Sequence, residues 1–183
     1  MGVVELFSKL VAWTIGIIPT LVKVNRELRA EIRDVVGTIA DELQRGLDLA
    51  ILYLRGAKNI KDEAELRDYL NSAQQKLLDY HSEFKICRGL RDLRARFNEL
   101  FDPTKHAIEW GNKGEVISLI YELEKDERLV MDELSGLWQN LNTALSQANG
   151  RESLHRAIDE SIASLEVKKN KIRESARKVI DLH

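Results

Sequence analysis

The chain has little proline and a single cysteine, and both scarcities restrict what it can be. Its 183 residues include two prolines and one cysteine. Cys87 alone cannot form an internal disulfide. Charged residues make up 32% of the chain, Leu, Glu, Lys, Arg and Ala are abundant, and no run alternates apolar and polar residues as a strand would. This composition favours long helices over sheets, so we predict an all-α fold.

Signatures of catalysis and metal binding are also missing. The sequence has no Gly-x-Ser-x-Gly element, phosphate-binding loop or glycine-rich dinucleotide turn. A di-iron site in a helical bundle would need two Glu-x-x-His pairs, and only Glu152-Ser-Leu-His155 has this spacing. His81, His106 and His183 have no partner at ligand spacing. We therefore expect a protein without enzymatic activity, metal or cofactor.

Charge of one sign is not in excess. The 28 Lys and Arg residues oppose 30 Asp and Glu residues, for a net charge of -2, and aromatic residues do not interleave with the basic clusters, so we expect no nucleic-acid partner. One basic cluster covers residues 85–96 and another lies in the last predicted helix. These clusters either pair with acidic helices, for example through residues 122–133, or bind anionic lipid headgroups. The headgroup candidates are Lys168, Lys169, Lys171, Arg173, Arg177 and Lys178.

The N-terminal segment is by far the most apolar part of the chain. Leu10 to Val22 are thirteen residues without a charge, whereas a membrane span needs about 20. The N-terminal apolar segment as a whole has no basic residue before it, contains Glu5 and is followed by no clear cleavage pattern, so we do not expect a signal peptide. On a helix, residues 3–18 show an apolar arc of about 240 degrees and a thin polar stripe. Pro19 disfavours a helical Ile18, which predicts a hinge there.

The rest of the sequence predicts long amphipathic helices joined by short loops. Apolar residues recur every three or four positions from Leu21 to Leu54. Gly56, two residues further, is a helix stop signal. Asp62, followed by Glu65, is typical of a helix N-terminus. Further periodic runs cover residues 66–101, which begin with a coiled-coil type repeat, then 116–145 and 154–179. We predict an antiparallel four-helix bundle in 25–183 with an additional apolar helix in 1–24, together one domain.

These features in combination resemble a known family. They are the apolar N-terminal helix, the long helix with Leu28, Ile32, Ile39 and Leu43, the segment 84–90, and an aromatic residue before a Lys/Asn/Gly turn and an apolar helix in 110–123. The chain resembles the HeLo-type cell-death bundles. These include N-terminal domains of fungal incompatibility and immune receptors, and the four-helix bundle of the mixed-lineage kinase domain-like pseudokinase.

The resemblance implies a mode of action for this chain. In such domains a partner or ligand drives oligomerisation, and the N-terminal helix is released and inserts into a membrane. The basic clusters would meet lipid headgroups, with Pro19 as the hinge. The inserting face would comprise Phe7, Leu10, Trp13, Ile17 and Ile18.

We therefore expect a membrane-perturbing effector of the cell-death and innate-immunity type, cytoplasmic until it associates with membrane. Its expected partners are anionic lipid, further copies of the chain and a possible protein partner. A structural or adaptor protein is the alternative, with the N-terminal helix docked in a groove of the bundle or in a homo-oligomeric interface. A small-ligand carrier or enzyme would instead need buried polar residues, for which Glu127 and Lys169 are the candidates.

Overall fold

The structure of the chain is a computed structural model that describes residues 3–21, 26–82, 92, 95–96, 98–99, 138–143 and 151–181. Of these residues 94% are helical and none lies in a β-strand. The helices are α1 (Val3–Leu21), α2 (Arg26–Ala57), α3 (Glu63–Ser82) and α4 (Arg151–Ile180). Residues 138–143 are also helical. The predicted all-α fold is therefore confirmed for the part of the chain that the structure describes.

Helix α2 follows the predicted apolar repeat closely. It is 32 residues long, about 48 Å at 1.5 Å per residue. The repeat buries Ile32, Ile39, Leu43, Leu47, Ile51 and Leu54. The helix ends at Ala57, one residue beyond the predicted stop at Gly56. A turn follows in which the Asn59 amide donates to the Gly56 carbonyl at 3.1 Å.

Helix α3 begins as its sequence predicts. The Asp62 carboxylate accepts a hydrogen bond of 2.8 Å from the Glu65 amide, and the Asp62 carbonyl accepts the first helical bond from Leu66 at 3.0 Å. These contacts satisfy amide groups that a helix start otherwise leaves without acceptors. The apolar repeat buries Leu66, Leu70, Ala73 and Leu77. Its later positions lie outside the described side chains.

Helix α4 lies antiparallel to α2. Its buried positions are the predicted ones: Leu154, Ile158, Leu165, Ile172, Ala176 and Val179. Ion pairs join Asp48 to Lys169 at 2.6 Å and Lys58 to Asp159 at 2.7 Å. Since residue numbers rise along α2 while they fall along α4, the two helices run in opposite directions.

Helix α3 also packs on the C-terminal half of α2 and also runs antiparallel to it. Tyr69 contacts α2 at Gly56, and the ammonium of Lys76 lies 6.0 Å from the ring centroid of Tyr53. Helical residues 138–143 join this layer through Trp138, whose indole nitrogen donates to the Leu70 carbonyl at 2.8 Å. The other residues of the predicted helix 116–145, and most of 83–101, lie outside the described residues. The complete antiparallel four-helix arrangement therefore remains a prediction.

Candidate functional site: helix α1 and the cationic face of helix α4

Helix α1 packs against α4 and α2 with one side covered. Phe7, Leu10 and Val11 are only 1%, 0% and 3% exposed and belong to the main hydrophobic core. Four residues of the polar stripe predicted from the sequence, Glu5, Lys9, Ala12 and Gly16, are exposed, whereas Ser8 of the same stripe is half-buried. We call the surface of α2 and α4 that α1 covers the α1 groove.

The predicted inserting residues are concealed wherever the structure describes them. Phe7 and Leu10 are fully buried, and Trp13 is partly buried against the core. The side chains of Ile17 and Ile18 lie outside the described residues. In this conformation the apolar face of α1 is part of the protein interior.

Thr14 was not predicted as part of this face. Its side chain is 1% exposed, and its hydroxyl donates to the Leu10 carbonyl one turn earlier at 2.8 Å. The spacing could have revealed it, because residues 7, 10 or 11, and 14 lie on one side of a helix. The hydroxyl is satisfied within α1 itself, so its hydrogen bond needs no atom of α2 or α4.

A polar contact between α1 and α4 joins two hydroxyl groups. The Oγ atoms of Ser8 and Ser175 are 3.5 Å apart, which is long for a hydrogen bond between hydroxyls. Among the described side chains of α1 that are fully buried, all except Thr14 are apolar. Apolar contact therefore dominates the packing of the described part of α1.

The region of the predicted hinge is helical. Helix α1 continues past residue 19 and ends at Leu21. Pro19 has no amide hydrogen, so the bond to the carbonyl four residues earlier cannot form. The side chain of Pro19 lies outside the described residues, and its role as a hinge remains a prediction.

The six cationic residues of α4 fall into two environments. Lys169 is 22% exposed and pairs with Asp48 at 2.6 Å and with Glu166 at 3.8 Å, while Lys168 is partly buried. The other four, Lys171, Arg173, Arg177 and Lys178, are exposed. Among these residues, the prediction of pairing with acidic residues applies to Lys169, which joins α4 to α2 at the surface. Lys169 does not line a buried polar site.

Two of the exposed cations lie beside α1. Lys171 precedes Ser175 by four residues and Lys178 follows it by three, so all three share one side of α4. Ser175 contacts Ser8 of α1. Lys171 and Lys178 therefore lie one turn before and one turn after the contact with α1, and the acidic Glu174 is exposed between them.

Another polar cluster of the described residues lies in the first turns of α4. A shallow cleft is lined by Glu152, His155, Arg156, Asp159 and Glu160, all on α4. Among the described residues, no group of three His, Cys, Asp or Glu side chains could hold a metal ion. Glu127, the other candidate for a buried polar site, lies outside the described residues.

A second cleft lies between α2 and residues 92–99. It is lined in part by Glu31, Asp34, Asp92 and Glu99. Arg96 lies 3.6 Å from Glu31 and 3.7 Å from Glu99, so it pairs with two of these carboxylates. The pairing is typical of a solvated contact between helices.

Comparison of the chain with protein-family models, with curated proteins and with solved structures found no significant match. The resemblance stated from the sequence thus gains no further support from relatives. Over the part of the chain that the structure describes, no helix combines the length and the apolarity that crossing a membrane requires.

Proposed function

We propose that this protein is a non-enzymatic, membrane-perturbing effector that keeps the apolar face of α1 in the α1 groove and releases it to a lipid surface. One observation carries the proposal. Phe7 and Leu10, which the resemblance implies would enter lipid, are fully buried against the rest of the protein, while Glu5, Lys9, Ala12 and Gly16 face outward. An apolar face that would bind lipid is thereby shielded until a trigger acts.

The buried threonine of α1 supports this transfer. A polar group in an apolar environment costs free energy unless it is hydrogen-bonded. Thr14 donates to the Leu10 carbonyl of its own helix, so the bond persists when α1 leaves the groove. Helix α1 can therefore exchange the protein interior for the hydrocarbon boundary of a bilayer without losing this bond.

The mode of membrane association that fits α1 is an interfacial one. An amphipathic helix lies in the plane of the membrane with its apolar side among the acyl chains. Lys9 and Glu5 on the exposed stripe would then remain in water. Lys171 and Lys178 flank the groove from which α1 departs, so anionic headgroups would meet positive charge beside the inserted helix.

Release of α1 would also favour oligomerisation. The antiparallel four-helix bundle that we propose for residues 25–183 would then expose the apolar wall of the α1 groove. Contiguous exposed apolar surface favours association between proteins. Further copies of the chain would cover this surface in the membrane-bound state.

A disulfide between α1 and α4 tests the release directly. Because the Ser8 and Ser175 hydroxyl oxygens are 3.5 Å apart, cysteines at both positions need only a small adjustment to form a disulfide. The double variant also carries Cys87→Ala, so that no other thiol is present. We expect the oxidised form to release no dye from anionic liposomes, and reduction to restore release.

The matched control carries Ser8→Cys and Cys87→Ala without the second cysteine. It should release dye under oxidising and reducing conditions alike. Equal release from the oxidised and reduced double variant would contradict the proposal, as would the absence of release from the unmodified chain. A chain that begins at Arg26 lacks α1 and should be inactive.

The cationic face of α4 is tested by neutralising it. Lys171→Gln, Arg177→Gln and Lys178→Gln together should weaken binding to anionic liposomes on the order of 100-fold, since each cation near the surface contributes about 1 kcal/mol. The control neutralises three exposed cations elsewhere, Arg45, Lys61 and Arg67, and thus changes net charge equally. Equal weakening by both sets, in a co-sedimentation assay, would refute a specific headgroup role.

A structural or adaptor protein remains the second candidate. The burial of Phe7, Leu10 and Val11 favours it, because these residues are as little exposed as the core residues of α2. In that case α1 never leaves, and the disulfide between positions 8 and 175 leaves function intact. Replacing Trp13 and Ile17 with Glu separates the two: a large drop in melting temperature supports a permanent core helix, whereas loss of lipid binding alone supports the effector.

A further inference from the structure

Arg33 of α2 carries two buried donor atoms. Within the described part of the chain, its Nε and Nη2 atoms are buried and have no hydrogen-bond partner. The guanidinium of arginine has five N–H donors and no acceptor, so each of its buried nitrogen atoms needs an acceptor nearby. A buried donor without an acceptor is rare in folded proteins and destabilises the conformation that contains it.

Arg33 lies in the N-terminal part of α2. It lies between Ile32 and Val36, which are 1% and 0% exposed. Gly37, one turn further, lies 3.9 Å from the side chain of Ile180, the last residue of α4. Arg33 is therefore close to the end of α4.

Helix α1 reaches the same end. Residues 22–25 connect its last residue, Leu21, to the first residue of α2, Arg26. Five peptide steps span at most about 17 Å. The last turns of α1, the first turns of α2 and the last turn of α4 thus lie near one another, and we call this region the Arg33 end.

We infer that Arg33 destabilises the closed conformation of the Arg33 end and so favours its opening, in which α1 and the last turn of α4 separate from α2. In the opened conformation water or an anion reaches both donors, because separation of the helices exposes them. In the closed conformation the two donors lack this solvation. The inference deepens the proposed function by naming a residue that sets how readily α1 is released, and it rests on that function only for the consequence at a membrane.

Native-state hydrogen exchange tests the opening without a membrane. Arg33→Met keeps an unbranched side chain of similar reach and removes the donors. We expect amides of α1 and of residues 174–180 to exchange at least about tenfold more slowly in this variant, because relief of even one of the two unsatisfied donors corresponds to about that factor. Arg33→Lys retains a buried charge and should exchange at close to the rate of the unmodified chain.

The matched control is Arg67→Met. Arg67 is a surface residue whose side chain is 52% exposed and pairs with Glu63 within α3, so its loss should leave the exchange of α1 unchanged. Unchanged or faster exchange in Arg33→Met, or failure of this variant to fold, would overturn the inference. So would slower exchange of the unmodified chain on addition of inorganic phosphate at constant ionic strength, because the closed conformation would then hold an anion at Arg33.

Dye release from anionic liposomes, measured on the same proteins, separates the two proposals. Slower exchange and reduced release in Arg33→Met support both. Slower exchange with no release from the unmodified chain refutes the proposed function and leaves the role of Arg33 intact. Release by the unmodified chain together with unchanged exchange in Arg33→Met refutes the role of Arg33 alone.

Discussion

Gly56 sets how closely α2 and α3 approach. A Cβ atom at this position would overlap the Tyr69 hydroxyl and would lie 3.2 Å from the Cζ atom of the same ring. A tyrosine ring is stiff, so it cannot move aside as a long aliphatic chain does. The absence of a side chain at residue 56 is thus a packing requirement in addition to a signal that ends the helix.

Gly56→Ala is therefore expected to destabilise the fold by about 1–3 kcal/mol, the usual effect of adding an atom to a packed contact. Urea denaturation followed by circular dichroism measures it. The control is Gly46→Ala, since nothing lies within 4 Å of a Cβ there; this change should stabilise α2 by about 0.5–1 kcal/mol. Adding Tyr69→Phe to Gly56→Ala should recover part of the loss, and no recovery would show that the hydroxyl is not the obstacle.

Tyr69 also predicts a dependence of stability on pH. Burial, and secondarily the nearby Tyr53, raise the pKa of the Tyr69 phenol above its ordinary value of 10.0. The folded state holds this proton more tightly than the unfolded state, so the contribution to stability is complete below pH 10 and is lost as pH rises through the folded pKa. Denaturation in the alkaline range should therefore depend less on pH in Tyr69→Phe, and an identical pH profile would contradict the assignment.

At the scale of the element, α1 is both the most apolar helix and a contributor to the core. Its buried side pairs aromatic and aliphatic residues with a threonine whose hydroxyl is satisfied within the helix. The same composition suits a core and a lipid boundary, because both require apolar contact without unsatisfied polar groups. Since its composition suits both, α1 is the segment that we expect to move from the protein core to a lipid boundary.

Leu10→Ala measures how strongly α1 is held. Leu10 is 0% exposed, so the substitution should reduce the free energy of unfolding by about 2–5 kcal/mol, as for other buried leucines. Ala12→Ser on the exposed stripe is the matched control and should stay within about 0.5 kcal/mol of the unmodified chain. A small effect of Leu10→Ala would mean that α1 is only loosely associated with the rest of the protein.

At the scale of the whole molecule, ion pairs mark the register between α2 and α4. Asp48 with Lys169, Arg55 with Glu166, and Lys58 with Asp159 follow one another along the two helices. Several of these side chains are well exposed, and surface pairs of this kind contribute only about 0–1 kcal/mol each. They fix which residues face each other, while the apolar residues beneath them supply most of the stability.

Exchanging the charges of one pair tests this register. Asp48→Lys alone and Lys169→Asp alone each place like charges together and should lower the melting temperature. The double variant restores an opposite pair and should recover most of the loss, with a coupling of about 0.2–1 kcal/mol that decreases at high salt. Additive effects of the two changes, measured by thermal denaturation, would contradict the antiparallel pairing at this position.

For the described helices, the sequence by itself determined where they lie and which sides of α2, α3 and α4 are buried, because both depend on short-range order. A repeat of three and four places Ile32, Leu43 and Leu54 on one side of α2 whatever its neighbours are. Asp62 caps α3 through an amide only three residues away, a contact that local chain geometry decides. For the same reason the polar stripe of α1 could be assigned in advance.

Only the tertiary structure decided what those buried sides contact. Periodicity shows that one side of α1 is apolar, but a core and a membrane demand the same residues, so the α1 groove on α2 and α4 could not be derived from it. The ion pair between Lys169 and Asp48 and the unsatisfied donors of Arg33 likewise depend on long-range placement. Contacts between distant residues arise from how whole helices pack, and the spacing of residues within one helix does not encode them.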